Sequence, residues 1–216
     1  MAINTIKIRK ECREDYRKVE ELLRDAFWDI HTPGATEHYL AHQMRDHEDF
    51  VAELDLVAEI EGVIVGSIMY TIGTLTAEDG TVKKCLSFGP LGIHPNYQRQ
   101  GIGKALIERS FEIARKMGYD TVIIFGHPGN YVARGFVSSH KFNICVGEGY
   151  FPTAMLVKVL GDHVFDGKRW VFEESKACEI DEKKAEEYDK LFPKKEKHEL
   201  PCQEEFYIYS RSSING

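Results

Sequence analysis

The chain has 216 residues, 43% of them hydrophobic, enough for one large domain with a substantial core. Its formal net charge of −7 has the wrong sign for a protein whose main partner is nucleic acid, since phosphate backbones demand clustered Lys and Arg. No apolar run approaches the roughly 20 residues of a membrane span, and the first residues lack the hydrophobic stretch of a secretory signal, so a soluble, cytoplasmic protein is expected.

Taken in chain order, Ile3 to Arg9 alternates as a first strand. Residues 13–30 place Val19, Leu22, Leu23, Ala26 and Phe27 at helical spacing before Thr32-Pro33-Gly34 breaks the pattern. A short helix over 35–46 precedes two strand-like runs, 50–60 and 63–74, joined at Glu61-Gly62 as a hairpin. A strand over 82–93 leads through a polar turn into a helix with Ile102, Leu106, Ser110, Ile113 and Met117 on one face, stopped by Gly118. Thr121 to Phe125 is a continuous apolar run, expected to be a strand buried on both faces. Next come a helical piece over 131–135 and strands over 142–146 and 153–160. Residues 1–160 read as the main domain and 161–216 as an extension with a strand over 169–172 and a helix over 181–192. The extension carries Trp170, Tyr188, Leu191, Phe206 and Tyr207, too much apolar surface for a free tail. It is expected to pack on its own domain or on a partner subunit, as in a homodimer.

The most informative stretch is Leu91 to Leu106, an apolar strand end, a polar turn and a glycine-marked helix start. Unpaired N–H groups and the helix dipole make such a terminus a pyrophosphate cradle, and glycines let a phosphate approach the main chain. A Rossmann fingerprint fails because Leu106 stands where its third glycine belongs. A P-loop for ATP fails twice, with Gln98 at its first glycine and Ala105 in place of the magnesium-binding hydroxyl. The pattern met is Q/R-x-x-G-x-G/A, through Gln98, Gly101 and Gly103. On these residues, most clearly over 86–142, the chain resembles the GNAT superfamily of acetyl-CoA-dependent N-acyltransferases.

The resemblance implies a mixed α/β fold, a mostly antiparallel twisted sheet split by one parallel pair at the cofactor groove, with helices on both sides and the C-terminal extension packed against it. It implies acetyl-CoA as cofactor, with the backbone amides of Arg99, Gln100, Gly101, Ile102, Gly103 and Lys104 holding the pyrophosphate. Leu91, Gly92 and Ile93 would hold the pantetheine arm as an added strand. Gly89, Pro90 and Gly92 agree with this from the residues themselves, because they interrupt an apolar strand and mark a bulge or a close backbone approach. The resemblance further implies direct acetyl transfer to a primary amine of a small molecule or peptide.

The resemblance also makes Tyr131, four residues before Gly135-Phe136, the expected acid for the departing thiolate; a phenol near pKa ~10 can serve a thiol near ~8.5 if well positioned. No carboxylate lies at Cys85 to Phe88 to act as base, which leaves His127, at the end of a buried strand, and Glu148, between two glycines, as candidates. A turn histidine bonding backbone is the competing account of His127. The same cradle without an evident base also suits a non-catalytic acyl-CoA sensor or regulatory domain.

The five cysteines have no Cys-x-x-Cys pair and read as reduced thiols. His38 and His42, one helical turn apart, have no third ligand in sight, so no metal is expected and both read as solvent-facing. The acidic run at Asp46 to Asp49, with Glu53 and Asp55, reads as a solvated face.

Overall fold

The computed structural model describes residues 6–162 and 164–214; the part of the expected first strand before Ile6 lies outside them. The sheet contains β1 (Lys7–Lys10), β2 (Leu56–Ile60), β3 (Val63–Ala77), β4 (Val82–Ile93), β5 (Thr121–Phe125), β6 (Val137–Ser138), β7 (Ile144–Cys145), β8 (Met155–Val159) and β9 (Trp170–Glu173). Its main path runs β1-β2-β3-β4-β5-β8-β6, and β9 joins the far half of β3 and carries β7 beside it. Neighbours are antiparallel except β4 with β5 and β7 with β9. Helices α1 (Tyr16–Phe27) and α2 (Glu37–Met44) cover one face, while α3 (Ile102–Lys116) covers the other. The short α4 (Pro128–Tyr131) follows β5, and α5 (Glu182–Asp189) and α6 (Pro201–Arg211) lie in the C-terminal segment. No helix among the described residues is long and apolar enough to cross a membrane.

The pattern-based reading holds where one face decides the element. Val19, Leu22 and Leu23 of α1 are buried against Met69 and Val57, and β5 is the expected run of Thr121 to Phe125. On α3 the buried stripe is Ile102, Leu106, Ile107, Ser110, Phe111 and Ala114, and Met117, expected on it, is 39% exposed. A period of 3.6 carries a stripe away from strict fourth-residue spacing within three turns, and Met117 already terminates the helix.

Two expectations about polar residues fail. His38 is fully buried under Phe192 and Tyr188, with Nε2 3.2 Å from Asp189 Oδ1, and burial depresses its pKa. Its cover comes from α5 and the residues after it, which α2 could not reveal on its own. Asp55 is also buried, not solvated, and lies beside Glu11, which Arg45 grips through two hydrogen bonds of 2.8 and 3.1 Å. Burial together with the Glu11 carboxylate pushes Asp55 well above the carboxylate range.

The C-terminal segment is joined to the rest by sheet pairing, salt bridges and hydrogen bonds. β9 pairs with Thr74 to Ala77 and buries Trp170 and Phe172 over Cys85, Ile123 and Met155. Arg24 of α1 meets Asp189 at 2.6 Å, Trp28 Nε1 donates to the Glu196 carbonyl at 2.8 Å, and Gln203 of α6 donates to the Asp29 carbonyl at 3.1 Å. Helix α6, absent from the expected elements, runs from the α1–α2 connection to the β7–β8 connection: His31 stacks on Phe206, and Thr153 N–H donates to the Ser212 carbonyl.

Candidate active site

The site begins with the divergence of β4 and β5. These parallel neighbours share a single register pair, Leu86 with Val122, beyond which β5 keeps all its pairing for β8. On its other edge β4 stays paired with β3 through Ile68–Leu91, Ser67–Gly92 and Gly66–Ile93. Between Ile68 and Tyr70 the register slips, so that the single residue Met69 faces both Gly89 and Pro90. That is the expected bulge, and it bends β4 where the gap opens. The edge of β4 that faces β5 is therefore unpaired beyond Leu86, and it contains Leu91, Gly92 and Ile93.

The sequence-expected glycines divide into two kinds. A Cβ on Gly92 would lie 2.5 Å from Leu23 Cδ2, so Gly92 is glycine because α1 packs directly onto β4. Gly101 is the N-cap of α3, with φ of 84°, a left-handed conformation that a side chain disfavours. Its Cβ direction meets nothing within 4 Å, and that of Gly103 meets Ile93 at no less than 3.7 Å. No side chain caps this terminus. The turn before it is held by Gln98, whose Nε2 donates to the Ile93 carbonyl at 3.2 Å, and by Gln100, which donates to the Asn96 carbonyl at 3.3 Å. Arg99 and Lys104 are in the turn and first helical turn, and Ile102 sends its side chain into the core. An uncapped, glycine-lined helix terminus directly after an unpaired strand edge suits a pyrophosphate with an extended arm attached.

Tyr131 stands across the mouth of the gap. Its ring packs on Phe88 of β4 at 5.8 Å and Phe136 at 5.6 Å, and a Cβ on Gly126, just after β5, would come within 2.6 Å of it. Burial pushes the phenol up to about 12, so it remains protonated at neutral pH. His127 caps α4: its Nδ1 accepts from Gly129 N–H at 3.1 Å, and its ring meets Tyr209 of α6 edge-on at 4.9 Å. The nitrogen that could accept a proton is thus engaged with backbone. Glu148 is exposed at the tip of a loop closed by the mutual hydrogen bonds of Val146 and Tyr150. No cluster of three or more His, Cys, Asp or Glu suited to a metal occurs among the described residues.

A carboxylate that the sequence did not point to lies on the α1 and α2 face. Thr71 and Ser87 are opposite each other in the β3–β4 register, buried, with their hydroxyls on one face. Residues 174–179 cross over them: Thr71 Oγ1 is 3.7 Å from Cys178 Sγ, and the Glu174 carboxyl lies against the Ser87 hydroxyl and the Cys178 thiol. Enclosure by protein holds that carboxyl above its usual range against the lowering effect of these two donors, although Glu174 as a residue is open to solvent. Burial pushes the Cys178 thiol up to about 12, so it serves as a neutral neighbour.

Comparison with known proteins gives a consistent picture. The model of the acetyltransferase (GNAT) family matches residues 21–142. The uncharacterized N-acetyltransferase YjhQ of Escherichia coli (strain K12) is 33% identical over 114 residues, covering 52% of this chain and 59% of that relative. The chain thus spans under two thirds of the relative's length. Among solved structures, the GNAT family N-acetyltransferase YhbS from Escherichia coli, in complex with CoA, superposes with a TM-score of 0.69 at 23% identity, covering 82% of this chain and 93% of that one. A GNAT family acetyltransferase from Brucella melitensis, in complex with acetyl-CoA, gives 0.63 at 21% identity, covering 82% and 99%. At these identities the superpositions speak for the fold.

Proposed function

Because the chain belongs to the GNAT acetyltransferase family, we propose that it is an N-acetyltransferase that moves the acetyl group of acetyl-CoA onto a primary amine by direct attack in a ternary complex. The observation that carries this reading is the unpaired edge of β4 running into the uncapped start of α3. Gly101 and Gly103 leave room at that start, and the amides of Arg99 to Lys104 would hold the pyrophosphate. Leu91 to Ile93 would bind the pantetheine arm as an added strand. The relatives crystallised with CoA and acetyl-CoA share this fold, which supports the assignment. Acetyl-CoA supplies an activated acetyl thioester when bound.

The acceptor nitrogen must arrive as the free amine, because an ammonium has no lone pair. Backbone N–H groups near Leu91 would stabilise charge on the acetyl oxygen. Tyr131 would protonate the departing sulfur; at about 12 its phenol is a weaker acid than free tyrosine, so transfer waits until charge has built up on an adjacent thiolate. His127 fits a positioning role, fixing α4 and through it Tyr131, better than a base, since its Nδ1 is already engaged. The acceptor is a small molecule or peptide amine, and the expected setting is the cytoplasm.

The test is thiol release from acetyl-CoA in the presence of a panel of primary amines: an alkylamine, a polyamine, an aminoglycoside and a lysine-containing peptide. Amine-dependent thiol release with a matching acetylated product supports the reading. Tight binding of acetyl-CoA with no product from any amine replaces it with a sensor or regulatory domain.

A further inference from the structure

The two faces of the sheet at the gap are not equivalent. On the α3 face, Leu86 and Phe88 of β4 join Ile102, Leu106, Phe111, Phe136 and Tyr131 in one apolar cluster, which closes that side. On the other face, β4 presents Ser87, and the segment after β9 lies above it. That segment is fastened at several points. Ser175 Oγ donates to Asp49 Oδ2 at 2.7 Å, Gln43 Nε2 donates to the Ala177 carbonyl at 3.0 Å and the Glu179 carbonyl at 2.6 Å, and Ala177 is buried against α1 and α2. These contacts fix the backbone next to Glu174. Ser87, against which the Glu174 carboxyl lies, is two residues of β4 before the bulge, roughly 7 Å from it along the strand. One water and the amine itself span such a distance.

We propose that Glu174 is the general base of the acetyl transfer, taking a proton from the acceptor ammonium on the α1 face while Tyr131 serves the leaving sulfur on the α3 face. The inference rests on the acetyltransferase reading above. Glu174 takes one proton, through water, from the ammonium nitrogen and passes it to solvent. The freed lone pair forms the bond to the acetyl carbon, and the carbon–sulfur bond breaks with its electron pair on sulfur. Sulfur gains the Tyr131 proton, and the second proton lost by nitrogen returns to the Tyr131 oxygen through water. The products are an amide, a free thiol and one proton released. Acid and base on opposite faces suit direct attack, since nucleophile and leaving group stay apart. The raised carboxyl makes Glu174 a stronger base than an ordinary glutamate.

The test is Glu174→Gln, which keeps the shape and a hydrogen-bonding end. Acetyl-CoA affinity by calorimetry should be unchanged, while kcat/KM for a strongly basic alkylamine falls about 100-fold or more. For an amine whose pKa lies below the assay pH the loss should be under about 10-fold, because that nitrogen arrives already deprotonated. Independently of turnover, 13C NMR of glutamate-labelled protein, with the resonance assigned by its absence in Glu174→Gln, should titrate above the ordinary value of about 4.3. Equal loss for both amines, no loss for either, or an ordinary titration midpoint overturns the role of Glu174 while the acetyltransferase reading stands. A wild-type protein that acetylates no amine overturns both.

Discussion

The segment from Leu86 to Tyr131 and the segment from Trp170 to Arg211 border the same gap but contribute to it in different ways. The first offers main-chain groups: an unpaired strand edge and an uncapped helix terminus, kept open by Gly101 and Gly103. The second offers side chains, Glu174 over Ser87 and Tyr209 against His127, carried on elements fastened to α1, α2 and β3. A cofactor common to many proteins can be held by backbone alone, whereas an acceptor requires particular side chains, and these can arrive from anywhere in the chain. The proposed role of Glu174 would make the extension part of the site as well as of the fold.

This contrast can be broken most directly at β9. Trp170 and Phe172 are buried and Phe172 packs on the bare backbone of Gly73, so Trp170→Ala or Phe172→Ala should cost about 3–5 kcal/mol in urea unfolding. A cost below about 1 kcal/mol would make the extension a removable appendage. On the cofactor side, Tyr131→Phe should lower kcat about 100-fold with acetyl-CoA affinity unchanged, in rapid thiol-release kinetics. Wild-type turnover would leave Tyr131 as packing only. The two kinds of glycine sharpen the contrast further. Gly92→Ala drives a methyl group into Leu23 and should cost about 1–3 kcal/mol, while Gly103→Ala, at ordinary contact distance, should leave the melting temperature almost unchanged.

The smallest effect is a pH dependence located away from the gap. Asp55, faced by Glu11, Arg45 and Lys10, has a folded pKa raised by burial, so between about pH 4 and that raised value the native state holds a proton the unfolded chain has lost. Stability must then fall as pH rises through this window, by at most about 1.4 kcal/mol per unit, while below it Asp55 adds no slope because both states hold the proton. Asp55→Asn should flatten this slope in urea titrations at pH 5 and pH 8 and leave acetyl transfer untouched. An unchanged slope would assign it elsewhere.

How much was legible in the sequence follows the same division. The strand, turn and helix over Leu91 to Leu106 and the bulge at Gly89-Pro90 were readable because these elements follow one another directly, and the interactions that define them are local. β5 was readable because a strand buried on both faces is apolar throughout. Glu174 was not, since its partners Ser87 and Cys178 meet it through sheet pairing between β3 and β9, and in sequence it is one acidic residue of a charged extension. The burial of His38 was hidden for the same reason, its cover coming from Tyr188 and Phe192. Gly92 was visible as a close-approach glycine, but the approaching group is Leu23 of α1. β6 is too short to show any period, and the strand expected over 142–146 is shorter, Ile144–Cys145. Helix α6, with Phe206, Tyr207 and Tyr209 spread around a polar sequence, has no clean apolar stripe.

The central claim is that a phosphorylated cofactor lies on the start of α3 and the free edge of β4. It is tested most directly by calorimetric titration of the wild-type protein and of Gly103→Glu with acetyl-CoA, with circular dichroism confirming that both are folded. A Cβ at position 103 has ordinary room, so the variant should fold, but its carboxylate would occupy the anion site and repel the pyrophosphate. The account predicts binding by the wild type and at least a 100-fold weaker affinity in the variant. Equal affinity in the two proteins, or no binding by the wild type, would contradict it.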